Sequence, residues 1–240
     1  VAVSPDGAKV LSGSWGKVTN VKLWDLATGE LLKVYEGQRD SVTAVGFSAD
    51  GGSIFAAGDY GKIVIWKTED GSLVRTIESP AKSAVIRTAV MAPNGQLATG
   101  SGPELWDTAS GAYLGGFGTG LRNGFSLRFT PDATRLVSAA DNGAAIWDIV
   151  NGRLIRTFGN HGAEVAAVDI SPDGSRVLTG ARDNTAKLWD AATGALLQTF
   201  ASPPSSVWGD VSWVEAAALS HRVILPPRAE PTIWCGSGMS

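Results

Sequence analysis

Few residues in this chain are able to do chemistry, and their spacing assembles no reactive group. The two histidines, His161 and His221, stand in no metal-ligand spacing, and His221 lies between Ser220 and Arg222 without an assignable partner. Cys235 has no second thiol to pair with, so a disulfide framework and a multi-cysteine cluster are both excluded. It reads as a structural or incidental thiol rather than a nucleophile. Gly16-Lys17 has the outline of a phosphate loop, but Val18 stands where a hydroxyl must reach the metal and Leu11 replaces the first glycine. Gly116-Phe117-Gly118-Thr119-Gly120 opens no helical pattern and is no dinucleotide fingerprint. The Asp-Gly pairs recur at a fixed offset, which makes them turns rather than calcium loops, and there is no Asn-x-Ser/Thr acceptor. The expectation is therefore a chain with no catalytic residue, no metal and no cofactor.

What remains must be positioned by a glycine-punctuated, tryptophan-rich framework. Of 240 residues 30 are glycine, or 12.5 %, against about 7 % in average proteins. Nine tryptophans accompany only 18 % charged residues, and a 44 % hydrophobic content is enough for a true core. Twenty cations against 23 carboxylates leave a formal net charge of −3, which argues against binding nucleic acid by bulk electrostatics. No apolar run approaches the ~18 residues that cross a membrane, and Val1-Ala2-Val3-Ser4-Pro5 does not resemble a leader. A cytoplasmic protein with no evident small-molecule substrate is expected.

The tryptophans carry a period. Trp24, Trp66, Trp106, Trp147 and Trp189 are separated by 42, 40, 41 and 42 residues, and Trp234 follows 45 further on. Asp follows four of the first five, Lys67 follows Trp66, and Cys235 follows Trp234. The fifth unit shows the content most clearly. Apolar segments at 165–170, 176–180, 186–189 and 196–200 are separated by Ser171-Pro172-Asp173-Gly174, Arg182-Asp183-Asn184 and Ala192-Thr193-Gly194. Segments of 4–6 residues rich in Val, Ile, Leu and Thr, bounded by such turns, predict four antiparallel strands joined by hairpins. The units are 1–36, 37–78, 79–118, 119–160 and 161–200, with 201–240 a degenerate sixth blade or an irregular tail. In that tail, strands are predicted at 207–213, 222–225 and 232–234, with Ala216-Ala217-Ala218 in place of the turn motif. A lone four-stranded sheet cannot bury both faces, and stacking such sheets around an axis does. The fold class predicted is all-β, a β-propeller of four-stranded antiparallel blades with about six blades present.

Ser171-Pro172-Asp173-Gly174, Lys187-Leu188-Trp189-Asp190 and the ~41-residue period resemble the WD40 repeat family over residues 1–200. The resemblance implies a relay of Trp, Ser or Thr, His and Asp locking each blade. The fifth repeat supplies all four as Trp189, Thr179, His161 and Asp183. The fourth keeps Trp147, Ser138 and Asp141 without a histidine, and the second has Ala56 and Tyr60 where the hydroxyl and the acid would stand. The third is trimmed at Gly100-Ser101-Gly102-Pro103, and the first is enlarged at residues 14–20. Family members usually have seven blades, which implies a piece of a longer polypeptide, with a self-contained six-blade ring as the alternative. A truncated ring is expected to aggregate or dimerise through its bared sheet faces.

Carried over by position, the family's binding face would hold Arg39, Ser41, Thr43, Val85, Arg87, Asn123, Phe125, Glu164, Ala166 and Arg182, with Trp15 and Lys17 on the same side. Trp15, within the enlarged hairpin, is either an interface anchor or a side chain folded back over the blade edge. Arginines with aromatics suit an extended peptide, acidic or phosphorylated, although Asp40, Asp59 and Glu164 dilute the positive charge. The function implied is a non-catalytic interaction or scaffold module whose partners are proteins or peptides. A sensory or autoinhibitory region fused to an effector enzyme, and a propeller enzyme acting at a channel mouth, are the alternatives.

Overall fold

Turn chemistry decides where each strand of this chain ends. Ser4, Ser48, Thr130 and Ser171 each donate a hydroxyl bond to the aspartate two residues on, at 2.5 Å, and accept the N–H five residues on. The left-handed residue that completes three of these turns is glycine; in the fourth Ala133 takes it at φ 55°. In the computed structural model, residues 1–15, 21–38, 41–79, 85–100, 103–117, 126–141, 143–201, 214–219 and 233–237 are described.

Two compact units result, Val1–Gly116 and Phe117–Ser240. The first contains three four-stranded sheets, each antiparallel and in sequence order. They are β1 (Ala2–Val3), β2 (Lys9–Ser12), β3 (Val21–Asp25) and β4 (Leu31–Tyr35); β5 (Val42–Phe47), β6 (Ser53–Gly58), β7 (Lys62–Lys67) and β8 (Leu73–Glu78); and β9 (Ala89–Met91), β10 (Gln96–Thr99), β11 (Glu104–Asp107) and β12 (Tyr113–Gly116). The second unit holds two more of the same kind. They are β13 (Leu127–Phe129), β14 (Arg135–Ala140), β15 (Gly143–Asp148) and β16 (Arg153–Phe158), then β17 (Val165–Ile170), β18 (Arg176–Ala181), β19 (Thr185–Asp190) and β20 (Leu196–Ala201).

A two-stranded sheet, β21 (Val214–Leu219) with β22 (Ile233–Ser237), follows, and β21 lies beside β17 and β18. Here the sequence expectation needs correction. Ala216-Ala217-Ala218 is not a turn but the middle of β21, paired with Gly236, Cys235 and Trp234. Three alanines lack the glycine or side-chain acceptor that would reverse the chain, and an extended conformation costs them little. The strands predicted at 207–213 and 222–225 lie outside the described residues. No helix among the described residues is long and apolar enough to cross a membrane.

The Trp-Asp dipeptide performs two tasks. The ladder between the third and fourth strands shifts register at every one of the five repeat tryptophans. The aspartate that follows then folds the outer hairpin: Asp25 Oδ1 accepts from the N–H groups of Ala27 and Thr28, and Asp107, Asp148 and Asp190 do the same in their sheets. Lys67 cannot accept, so in the second sheet Asp70 takes over with a bond from Ser72 N–H at 2.8 Å.

Three of the repeat tryptophans pack on the sheet before them. Trp66 packs on Leu11, Val21, Leu23 and Tyr35; Trp106 on Phe55, Ile63, Ile65 and Ile77; Trp189 on Val137, Ile146 and Phe158. Burying an indole of this size contributes up to about 5 kcal/mol of transfer free energy. Polar staples reinforce the same junctions at the outer rim. Tyr35 Oη donates to the Thr68 carbonyl at 2.7 Å, Arg75 to that of Ala109 at 2.8 Å, and Arg156 to that of Thr193 at 2.7 Å.

Candidate protein-interaction site

A buried indole N–H must find an acceptor, and the five sheets answer that need in two ways. Trp24, Trp106, Trp147 and Trp189 donate to the hydroxyls of Ser12, Thr99, Ser138 and Thr179 at 2.8–3.0 Å. In the fifth sheet the chain of bonds continues. His161 Nε2 lies 2.7 Å from Thr179 Oγ1, and His161 Nδ1 lies 3.0 Å from Asp183 Oδ2. Asp183 also accepts from Gly162 N–H and from Thr185. The consistent assignment is a neutral imidazole that donates from Nδ1 to Asp183 and accepts at Nε2 from Thr179.

Burial pushes the His161 pKa down, against the pull of Asp183. Burial raises the Asp183 carboxyl, but the bonds from Thr185, Gly162 and His161 outweigh it and leave the group below its ordinary value. Both ring nitrogens of His161 are thus occupied by structure. No group of three or more His, Cys, Asp or Glu among the described residues could hold a metal ion.

The second sheet solves the same problem without a relay. Ala56 offers no hydroxyl, and the Trp66 indole donates instead to the Glu36 carbonyl at 2.9 Å. The hairpin position that Asp183 occupies in the fifth sheet is Tyr60 here, and it is turned to solvent, 64 % exposed, at φ 60° and ψ 21°. A tyrosine in this left-handed region costs roughly 1 kcal/mol or more. Gly61 follows at φ 68°, and two consecutive left-handed residues are what the tight reversal from β6 to β7 calls for.

Around Tyr60 the first unit builds a continuous rim through backbone bonds. Ser14 accepts from Val42 N–H at 3.2 Å, Ser41 accepts from Asp59 N–H at 3.2 Å, and Gly58 accepts from Ile86 N–H at 3.1 Å. Thr43 Oγ1 donates to the carbonyls of Ala57 and Ile86. These bonds bring Trp15, Tyr60, Val85 and Arg87 onto one rim, all of them exposed, Trp15 at 79 %. Trp15 is thus presented to solvent rather than folded back.

In the second unit the matching positions are differently occupied. Glu164 and Arg182 form an ion pair at 3.1 Å, backed by a bond from Arg182 N–H to the Glu164 carbonyl at 2.9 Å. A ligand there must compete with a pair already made, whereas the first-unit rim offers its aromatic side chains directly. Lys17, Arg39, Asn123 and Phe125 lie outside the described residues. Tyr60 escaped the list of expected binding residues. Its signal was a bulky aromatic in a turn position that otherwise suits Asp or Asn.

The repeats have counterparts among known proteins. The family description "WD domain, G-beta repeat" matches residues 29–67 and 152–190. The guanine nucleotide-binding protein subunit beta of Saccharomyces cerevisiae is 29 % identical over 163 residues, 66 % of this chain and 37 % of its own length. Autophagy-related protein 16 of Arabidopsis thaliana is 24 % identical over 171 residues, 70 % of this chain and 33 % of its own length. The angio-associated migratory cell protein of Homo sapiens is 28 % identical over 193 residues, 71 % of this chain and 40 % of its own length. The chain thus spans well under half of each of these relatives.

Proposed function

Because this chain is a WD40-repeat protein, we propose that it serves as a non-catalytic interaction or scaffold module that binds other proteins or peptides. The observation that carries the reading is the division of labour between inside and outside. His161 and Asp183, which could have served catalysis, are consumed by the relay. Trp15, Tyr60, Val85 and Arg87 stand exposed on a rim fixed by backbone bonds to rigid sheets. Rigid aromatic anchors beside a guanidinium are the side chains that dominate protein interfaces. A net charge of −3 favours a protein partner over nucleic acid held by bulk electrostatics.

Affinity capture from cell extract with the wild-type chain and with Trp15→Ala/Tyr60→Asn/Arg87→Ala tests the assignment, with thermal melting to verify folding. Loss of the captured set by the folded triple variant is expected. Retention of every partner would remove this rim from consideration.

A further inference from the structure

In a four-stranded antiparallel sheet the first and last turns lie at one end and the middle hairpin at the other. Trp15 and Tyr60 belong to middle hairpins, and the opposite end of their sheets holds a cavity. It measures about 220 Å³ and opens between the turn Ser4–Asp6 of the first sheet and the turn Asp50–Gly52 of the second. The two turns abut, since a Cβ on Gly51 would sit 3.6 Å from the Pro5 ring. Asp6, Asp50 and Lys9 all line this space, two carboxylates against one ammonium. Lys9 Nζ lies 4.0 Å from Asp6 Oδ2, whereas Asp50 forms no ion pair among the described residues. Asp50 Oδ1 accepts from Ser48 Oγ and Gly52 N–H, and these bonds hold the carboxyl below its ordinary value, so it is charged at neutral pH. Thr68 N–H donates to the Gly52 carbonyl at 3.0 Å, which sets this residue on the cavity wall. Its Oγ1 is buried and has no hydrogen-bond partner among the described residues. Thr108, at the same place after Trp106, gives its hydroxyl to the Gly95 carbonyl at 2.7 Å. A buried hydroxyl without a partner is unfavourable, and one on a cavity wall is satisfied by a group entering the cavity. Phe47 completes the lining, half-buried against the core of the first two sheets.

We propose that this cavity binds a guanidinium group on a short alkyl stem, with Asp50 as the charge partner, Thr68 Oγ1 as a second acceptor and Phe47 as the stacking face. The site shares no residue with the Trp15–Tyr60 rim and so goes beyond the interaction reading. Its lining is net negative and calls for a cation. A planar guanidinium carries five donors, so it meets acceptors on two different elements while its face lies on an aromatic ring. An ammonium is more strongly hydrated and has no flat face to stack. The volume is that of about seven waters at ~30 Å³ each, room for a guanidinium and a few methylenes. A free alkylguanidinium and the arginine side chain of a partner protein both supply this chemistry.

NMR titration of the whole chain with butylguanidinium and with butylammonium, a cation of equal charge, tests this. Amide shifts should concentrate in residues 4–9, 47–53 and 67–69, with butylguanidinium binding about tenfold more tightly. Asp50→Asn should weaken that binding about tenfold yet keep the turn, because Asn94 accepts the Gln96 N–H in the same way in the third sheet. Thr68→Val, which removes the orphaned hydroxyl, should weaken binding severalfold and melt no lower than wild type. Equal affinity for the two cations, no binding of either, shifts spread over carboxylates elsewhere, or an Asp50→Asn or Thr68→Val chain that binds as wild type overturns the proposal. An acetylated and amidated Gly-Arg-Gly peptide separates the two sources. Affinity equal to that of butylguanidinium supports an arginine side chain, and binding of butylguanidinium alone supports a free small molecule. Capture of proteins by the Trp15–Tyr60 rim is read at the other end of the sheets, so failure of either reading leaves the other standing.

Discussion

At the scale of single residues, the fifth sheet shows what a relay contributes and the second shows how it is dispensed with. Thr179 Oγ1 accepts from Trp189 Nε1 at 2.9 Å and faces His161 Nε2 at 2.7 Å, so its loss orphans two buried groups together. Thr179→Val should cost about 2–5 kcal/mol in urea unfolding, while Thr179→Ser, which keeps the hydroxyl, should cost under about 1.5 kcal/mol. A similar loss for both would show that the methyl group, not the hydroxyl, matters. The histidine adds a pH term of definite sign. Burial keeps its folded-state pKa below the ordinary 6.5, so the folded chain holds the ring neutral where the unfolded chain would take up a proton. The stability this provides is complete above that ordinary value and declines as pH falls below it. The melting temperature should therefore drop between pH 7.5 and 5.5, and His161→Gln, which removes the titratable ring but keeps a polar side chain, should flatten that part of the profile. An unchanged slope in His161→Gln would assign the drop to other groups.

At the scale of elements, the rim depends on close backbone approach as much as on side chains. Gly58 ends β6 where a Cβ would overlap the Ser41 carbonyl oxygen, the same oxygen that receives Asp59 N–H. Its φ of −170° is ordinary extended backbone, so lack of space, not conformation, requires glycine here. Gly58→Ala should force Ser41 and Asp59 apart and destabilise the chain by about 1–3 kcal/mol. It should also weaken partner capture, because the segments carrying Trp15, Tyr60 and Arg87 are joined through these bonds. A variant that melts and binds as wild type would show that the rim is not held in this way. The outer hairpins show that different residues can do one structural job: Asp25, Asp107, Asp148 and Asp190 cap the turn after the tryptophan, and Asp70 does so from within the turn where Lys67 interrupts the pattern.

At the scale of the whole molecule, energy is shared between sheets adjacent in sequence. Trp66 and Trp106 bury themselves on the preceding sheets of the first unit, and Trp189 does so in the second. Arrays built this way distribute stability as sheet terms plus neighbour terms. Thr179→Val should therefore reduce amide-exchange protection most in residues 165–201, next in 127–158, whose Val137, Ile146 and Phe158 touch Trp189, and least in residues 1–116. A uniform loss across all five sheets would point instead to one all-or-none unfolding unit.

Much of this was legible before any coordinate. A tryptophan every 40–42 residues, with Ser-x-Asp-Gly turns at a fixed offset, determines the strand order and the hairpins, because turn geometry and strand alternation are local properties of the chain. The same local rules marked Ala56 and Tyr60 as departures from the pattern. Only the tertiary structure decided what the departures mean. The acceptor for Trp66 is the backbone of Glu36, and a carbonyl has no sequence signature. Glu164 and Arg182 engage each other rather than stand open, a pairing between a strand start and a hairpin 18 residues away. Ala216-Ala217-Ala218 runs as a strand because β22, far along the chain, offers it a partner. Tyr60 and Trp15 share a rim because Ser41 and Val42 tie their hairpins together. Periodicity dictates what each segment becomes; which side chains meet across sheets depends on contacts between segments that no local pattern encodes.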